Sequence, residues 1–139
     1  MCGIVGYISE DNLKDLELNT VHMLDAISHR GPDDSGIWID SKSGVSLGHR
    51  RLSVLETSQA GHQPMVSNCG RYVIVFNGEI YNHLSLRDKL DVNFEWKGGS
   101  DTETLLESIS KWGLKKALKS SVGMFAFAVW DKKNKTLSL

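Results

Sequence analysis

The chain is poor in cysteine and has no long apolar segment. Only Cys2 and Cys69 are present among its 139 residues, too few for the disulfide framework of a small secreted domain. The longest apolar run, from Val122 to Trp130, contains a glycine and is about half the ~20 residues that a membrane-spanning helix needs. No basic, hydrophobic signal segment precedes the first predicted strand. We therefore expect a reducing, cytoplasmic setting and no membrane insertion.

An excess of charge of either sign is also missing. The chain has 16 lysines and arginines against 17 aspartates and glutamates, a formal net charge of −1, and the two signs are interspersed. This balance gives no reason to expect a nucleic acid or an anionic membrane as partner, and it leaves small-molecule chemistry open. With 40% hydrophobic residues, the chain is long enough for one globular domain with a sizeable core.

Local patterns predict a mixed α and β fold. Apolar spacing and turn residues predict a strand over 4–8, a helix from about 13 to 29, a hairpin of strands 35–40 and 45–50, a loop over 57–70, a strand over 72–76, a short helix from Asn82, a helix from Ser100 or Asp101 to Gly113, and strands 124–130 and 136–139. The strands at 72–76 and 124–130 are apolar throughout and need cover on both faces. An α+β fold of two stacked sheets with helices outside is the simplest solution, although periodicity alone permits other α+β arrangements.

Cys2 directly follows the initiator methionine. If Met1 is removed, one residue carries both a thiol and a free α-amino group, which titrates near ~8 and can accept the thiol proton. This is the arrangement of an N-terminal nucleophile. The alternative is that Cys2 packs as a small hydrophobic residue beside an ordinary first strand. The nucleophile interpretation requires that the rest of the chain supply residues that act together with the thiol.

Two charged residues are candidates for binding a small charged molecule. Arg51, at the end of the predicted hairpin, is suited to hold a carboxylate through a two-pronged hydrogen bond, but it equally fits a solvated, salt-bridged arginine. Asp101 follows Gly98, Gly99 and Ser100 at the start of a predicted helix. It is suited to receive an ammonium group, and the same segment fits a capped helix N-terminus.

The predicted strand 72–76 runs directly into Asn77 and Gly78. Asn-Gly is ordinarily a tight turn. The Asn77 side-chain amide and the Gly78 backbone N–H are also a pair of donors able to hold the oxyanion of a tetrahedral intermediate, and Glu79 adds an acceptor nearby.

Other motifs carry less chemistry. Asp33 and Asp34 are paired, but no histidine, cysteine or glutamate with recognised ligand spacing accompanies them, so a metal site is not expected. The segment Gln63-Pro64-Met65 is typical of a loop and has no chemistry of its own, and Cys69 fits packing or an incidental loop thiol.

Taken together, seven motifs resemble one family: MCGIVG at 1–6, HRGPDDSG at 29–36, GHRRLSVLE at 48–56, QPM at 63–65, FNGEIYN at 76–82, GSDTE at 99–103 and GMFAFAVWD at 123–131. The chain resembles the class II glutamine amidotransferase, or glutaminase, domain found in the N-terminal half of glutamine-dependent asparagine synthetases. The proline of HRGPD and the Glu-Ile-Tyr of NGEIYN are similar to asparagine synthetase rather than to relatives that make glucosamine phosphate or phosphoribosylamine.

The resemblance implies an N-terminal nucleophile hydrolase fold and a set of site residues for L-glutamine. Cys2 would attack the side-chain amide to form a glutamyl-thioester, with its own amine as base. The other implied roles are an oxyanion hole of Asn77 and Gly78, an α-carboxylate clamp by Arg51, main-chain contacts from Leu52 and Val54, and an α-ammonium site of Glu79 with Asp101.

The resemblance also implies partners. Residues 1–139 would form one amidotransferase domain that passes ammonia to a synthetase domain or subunit, to which ATP and magnesium belong. No cofactor is expected in this chain, and a homodimer is allowed. Family domains continue for roughly fifty further residues, so we expect the fold to be incomplete at the C-terminus. Two alternatives stay open: a non-catalytic remnant that binds glutamine or a partner chain, and an amidotransferase domain for another acceptor, such as a sugar or an antibiotic precursor.

Overall fold

In the part of the chain that the structure describes, two antiparallel sheets lie face to face at the centre. The computed structural model describes residues 2–10, 15–53, 58–90 and 94–139. The strands are β1 (Gly3–Ile8), β2 (Asp34–Asp40), β3 (Val45–Arg51), β4 (Met65–Val66), β5 (Tyr72–Ile80), β6 (Gly123–Asp131) and β7 (Thr136–Ser138). The first sheet has the order β1-β3-β2 and the second the order β4-β5-β6-β7.

In the described ranges, four helices flank the sheets: α1 (Leu16–Ala26), α2 (His83–Leu90), α3 (Asp101–Trp112) and α4 (Leu114–Ser120). Short 3₁₀ turns lie at Ser28–Arg30 and Gln59–Gly61. Among the described residues, no helix has the length and apolar character needed to cross a bilayer.

The space between the sheets is filled by side chains from both of them. The buried members of this core are Val45, Leu47, Val73, Val75, Ala128 and Trp130. Since side chains of a strand alternate between its two faces, the intervening residues of β5 and β6 point outward. They form a second core with the helices, whose buried members include Ile74, Phe76, Ile80, Leu105, Leu106, Ile109 and Val129.

Helix α1 covers the outer face of the first sheet. Leu16 and Leu24 are buried there, and the Thr20 hydroxyl bonds with the hydroxyl of Ser46 on β3. The layers therefore run helix, sheet, sheet, helices. This confirms the predicted α+β fold of two stacked sheets flanked by helices.

Most predicted elements are found within one or two residues, and the larger differences have identifiable causes. The hairpin of β2 and β3 is confirmed, with one additional residue on each strand. The prediction that a strand ends at residue 76 is wrong, because β5 stays paired with β6 as far as Ile80 opposite Gly123. Helix α4, not predicted, begins after Gly113 ends α3 at a φ of 81°. It has only seven residues, too few for its apolar spacing to predict a separate helix.

Candidate active site

An open cavity of about 600 Å³ gathers residues from both sheets and from the start of α3. Seven of the eight site residues expected from the sequence line it, namely Cys2, Arg51, Leu52, Asn77, Gly78, Glu79 and Asp101. The eighth, Val54, lies outside the described residues. Residues separated by up to a hundred positions in the chain therefore meet at one site.

Cys2 is placed at the cavity wall by strand pairing. Because β1 runs antiparallel to β3, with Gly3 opposite Arg50, the residue before β1 lies beside the segment that leaves β3. The Cys2 sulfur is 3.4 Å from the Leu52 backbone nitrogen and 3.6 Å from the Leu52 carbonyl oxygen. On the other side, Arg30 donates from Nε to the Cys2 carbonyl at 3.2 Å. The main chain of Leu52, which was expected to contact glutamine, contacts the Cys2 sulfur in this structure. Met1 lies outside the described residues.

The edge of β5 that faces away from β6 lines the cavity beyond Phe76. The N–H of Phe76 donates to Oε1 of Gln63 at 2.6 Å, and the N–H of Ile80 donates to Oδ2 of Asp101 at 2.8 Å. Alternate residues of a strand direct their N–H groups to the same edge. Gly78 lies midway between these two residues in an unbroken register, so its N–H points to the same edge, away from β6. This is the direction required of an oxyanion-hole donor.

Gly78 is also required sterically. Its φ is +153°, and a Cβ at this position would lie 2.3 Å from the carbonyl oxygen of Met124 on β6. A side chain would force β5 and β6 apart and displace the backbone that lines the cavity.

Asn77 and Glu79 project from β5 on the face that points toward the first sheet. Val73 and Val75 fill the core between the sheets, and side chains two residues apart share a face. Asn77 and Glu79 continue that row to its open end, where the packed core gives way to the cavity.

Arg51 reaches the cavity from the end of β3 and is only 7% exposed. Its Nη1 donates to the Ser58 carbonyl at 3.0 Å and lies 3.9 Å from Oδ2 of Asp34. The salt-bridged interpretation is thus correct in part, although the side chain is buried rather than solvated. A cation held this way is pre-oriented for a carboxylate entering the cavity.

Asp101 is the first residue of α3, and its carboxylate is engaged on both oxygens. Oδ2 accepts from Ile80, as above, and Oδ1 accepts from the N–H of Thr102 at 2.9 Å. Ser100 is the N-cap, since its Oγ accepts from the N–H of Glu103 at 3.2 Å. The predicted helix cap is therefore confirmed, and the same segment brings a negative charge to the cavity.

Comparison with known proteins shows the family of this chain. A family model described as "Glutamine amidotransferase domain" matches residues 1–139. The chain belongs to the glutamine amidotransferase domain family.

This glutamine amidotransferase domain has relatives with different names. It is 39% identical to "Asparagine synthetase [glutamine-hydrolyzing] 3" of Bacillus subtilis, covering 99% of the chain and 22% of that protein. It is 33% identical to "Amidase chry2" of Gibberella zeae, again over 99% of the chain and 22% of that protein. The chain thus spans about a fifth of the length of these curated relatives.

A solved structure has the same fold. The glutamine phosphoribosylpyrophosphate amidotransferase of Bacillus subtilis matches with a TM-score of 0.71 and 18% identity, over 95% of this chain and 35% of that one. At this identity the likeness concerns the fold alone, and it confirms the predicted N-terminal nucleophile hydrolase fold.

The amidotransferase site also depends on buried polar residues that the sequence did not single out. His49 is 1% exposed, and its Nε2 lies 3.1 Å from the Phe76 carbonyl oxygen. Burial lowers the pKa of His49 to about 4, so the ring is neutral and Nε2 donates to that carbonyl. Gln63 was interpreted from the sequence as part of a loop without chemistry. Its Oε1 accepts from the N–H of Phe76. No local pattern distinguishes such a residue from any loop glutamine.

A pair of charged side chains, the partly buried Arg87 and the buried Glu103, holds the segment that leads to Asp101. Arg87 donates from Nη1 to the Gly98 carbonyl at 2.8 Å and from Nη2 to the Ser100 carbonyl at 2.9 Å. The Glu103 carboxylate accepts from the N–H of Gly98 at 3.0 Å. The segment before α3 is glycine-rich, and these contacts give it one conformation.

The paired aspartates have structural contacts. Asp33 accepts from the N–H of Ser53 at 2.8 Å, and Asp34 lies 2.7 Å from Nδ1 of His62. Within the described ranges, no group of three or more histidine, cysteine, aspartate or glutamate side chains is arranged to hold a metal. Cys69 is exposed and lies 3.1 Å from the hydroxyl of Ser110.

Proposed function

We propose that this domain hydrolyses the side-chain amide of L-glutamine through a thioester on Cys2, after removal of Met1, and supplies the released ammonia for asparagine synthesis. The observation that carries the proposal is one cavity lined by a thiol, an oxyanion-hole edge and side chains of both charges. A zwitterionic amino acid with a terminal carboxamide matches that inventory.

The charges of the cavity match the two ends of the substrate. Arg51 would hold the α-carboxylate of glutamine, and Glu79 with Asp101 would hold the α-ammonium. The carboxamide would then lie between Cys2 and the donors on β5. Every charged group of the substrate has an opposite charge on the cavity wall, so little of the desolvation cost on binding is left uncompensated.

The chemistry proceeds in two steps. The Cys2 sulfur forms a bond to the carboxamide carbon, the carbonyl oxygen becomes an oxyanion held by Asn77 and Gly78, and the terminal amine takes the thiol proton. The C–N bond then breaks and ammonia leaves with that proton. Water next adds to the thioester carbon, the C–S bond breaks, and the proton that water loses returns to the sulfur as glutamate forms.

The direct test is glutamate release from glutamine by the full-length protein. Replacing Cys2 by alanine should abolish release, whereas Cys69→Ala, at the exposed thiol outside the cavity, should leave it unchanged. Intact-mass measurement should show that the unaltered protein lacks Met1, because a blocked amine removes the proposed base. Undiminished hydrolysis by the Cys2→Ala variant would overturn the proposal.

The acceptor is the second part of the proposal. Ammonia would pass to a synthetase domain or subunit that uses ATP and magnesium, and the asparagine synthetase of Bacillus subtilis supports aspartate as acceptor. Because a relative in Gibberella zeae is named an amidase and not an asparagine synthetase, a different acceptor is the second candidate. Incubating the full-length protein with [¹⁵N-amide]glutamine, aspartate and ATP distinguishes the two candidates. Only transfer of ammonia to aspartate produces labelled asparagine.

Two further parts of the proposal concern the cellular compartment and the oligomeric state. A cytoplasmic setting and a homodimer stay predictions, the first from the scarcity of cysteine and the second from the family resemblance. Size-exclusion chromatography with light scattering would test the dimer.

A further inference from the structure

We propose that Gln63 is a positioning residue for the oxyanion hole: its carboxamide takes the place of a missing β-strand beside Phe76 and so fixes the direction of the Gly78 N–H. This inference rests on the proposed function. It concerns a loop residue that would not contribute its own atoms to the reaction.

The edge of β5 changes partners near the site. Strand β4 pairs with Val73 and Ile74 only, so in the described part of the chain the same edge has no strand beside it from Phe76 onward. Gln63 lies two residues before β4, and its side chain reaches the next N–H along that edge, at Phe76. One side chain therefore extends the pairing by one position without covering Gly78.

The orientation of the carboxamide follows from its partners. Because the Phe76 N–H can only donate, the atom facing it is the oxygen of Gln63. Nε2 then faces the hydroxyl of Thr102 on α3, at 3.3 Å. Gln63 is 6% exposed, so water does not replace either bond readily, and loss of the acceptor would leave a buried N–H unpaired.

The same residue of β5 is anchored a second time. His49, from the first sheet, donates to the Phe76 carbonyl, which belongs to the peptide group that leads into Asn77. Side chains from two different elements thus hold the N–H and the C=O of Phe76. At the far end, the Asp101 carboxylate accepts from the N–H of Ile80. Gly78 therefore lies midway between two residues whose backbone groups are held by side chains.

Fixed points on both sides matter because an oxyanion donor acts over a short range. Such a donor must lie about 2.7–3.1 Å from the position that the oxyanion will occupy, and a displacement of about 1 Å can cost a hundredfold in rate. The bond from Gln63 would therefore affect the transition state, in which the oxygen is charged, and not the binding of neutral carboxamide.

The test compares Gln63→Met with Gln59→Met in the full-length protein. Both substitutions replace a glutamine on the same connecting segment, but Gln59 is exposed and outside the cavity. Active sites are counted by intact mass after labelling with 6-diazo-5-oxo-L-norleucine, so that kcat refers to folded, competent protein. For Gln63→Met we expect kcat to fall about 10- to 100-fold with little change in KM for glutamine or in Kd for glutamate; Gln59→Met should match the unaltered protein.

Other outcomes of this comparison would overturn the inference. A rise in KM at constant kcat would mean that Gln63 binds substrate directly, and an unchanged kcat would mean that its bond to Phe76 has no catalytic effect. Failure of the unaltered protein to release glutamate would instead overturn the proposed function.

A second measurement needs no variant. Amide hydrogen exchange in the unaltered protein should show the Phe76 N–H protected to the same degree as its strand neighbours Val75 and Ile74, because Gln63 replaces the missing strand partner. Exchange of Phe76 at least tenfold faster than both neighbours would overturn the inference, whether or not the enzyme is active and whether or not Gln63→Met folds.

Discussion

The Nε2 of His49, on the middle strand of one sheet, lies 3.1 Å from the carbonyl oxygen of Phe76 in the other sheet. It is a polar link between two layers whose shared core is built from apolar side chains. The link reaches β5 one residue before Asn77. The proposed oxyanion hole therefore lies directly beside a contact between the two sheets.

The burial of His49 makes stability depend on pH. Burial lowers the pKa of His49 to about 4 in the folded state, whereas it is about 6.5 in an unfolded chain. The unfolded state therefore takes up a proton first, and stability falls as the pH drops from about 6.5 to about 4, by about 3 kcal/mol at most.

Urea unfolding at pH 7, 6 and 5 would measure this effect. The loss of stability over that range should be smaller in His49→Gln than in the unaltered protein, because glutamine does not titrate. His22→Gln, at an exposed position on α1, should keep the full pH dependence. Equal slopes for the unaltered protein and His49→Gln would show that the buried ring is not the source.

Removing the Asn77 amide should act on the transition state. Asn77→Ala should lower kcat for glutamine hydrolysis about 100- to 1000-fold, with a much smaller change in KM, because the donor is needed mainly when the carbonyl oxygen becomes charged. Steady-state kinetics would measure both constants. Asn134→Ala, in the exposed turn between β6 and β7, is the matched control, and a pure KM effect at Asn77 would contradict the assignment.

A methyl group at Gly78 should be far more damaging than one at Gly70. The Cβ of Gly78→Ala would lie 2.3 Å from a backbone oxygen of β6, whereas at Gly70, with a φ of +72°, no atom of the described residues lies within 4 Å of the place a Cβ would take. We expect Gly78→Ala to lower the free energy of unfolding by about 3 kcal/mol and to abolish activity. Gly70→Ala should cost about 1 kcal/mol through backbone strain alone. Denaturant unfolding would compare them, and similar costs would argue against the steric account.

Loss of the Asp101 charge should weaken binding through the α-ammonium of glutamine. Asp101→Asn should raise KM about tenfold, since a charge-assisted hydrogen bond is among the stronger polar contacts. The informative substrate is 4-carbamoylbutanoate, which is glutamine without its α-amino group. If Asp101 acts on the ammonium, the substitution should have little effect on that substrate.

Asp88→Asn, at an exposed position on α2, is the control for the change of side chain. An equal loss with both substrates would indicate that Asp101 acts only through the backbone groups it accepts from, Ile80 and Thr102.

The sequence by itself determined what depends on neighbouring residues. The hairpin of β2 and β3 follows from two short strand-forming runs with polar turn residues between them. Helix α3 follows from Ser100, a hydroxyl residue able to cap the first turn, and from Gly113, which adopts a positive φ at its end. Cys2, Arg51, Asn77 and Asp101 could be named because their side chains carry the chemistry in short motifs.

Only the tertiary structure decided what depends on distant contacts. Strand β5 runs through the Asn-Gly pair that usually makes a turn, because β6 pairs with it along its whole length. Gln63 and His49 are 13 and 27 positions from Phe76, and no local pattern shows that they hold its peptide groups. The cost of an unpaired buried N–H or C=O arises only once packing has excluded water, so the residues that satisfy such groups are selected by the folded arrangement and not by the local sequence.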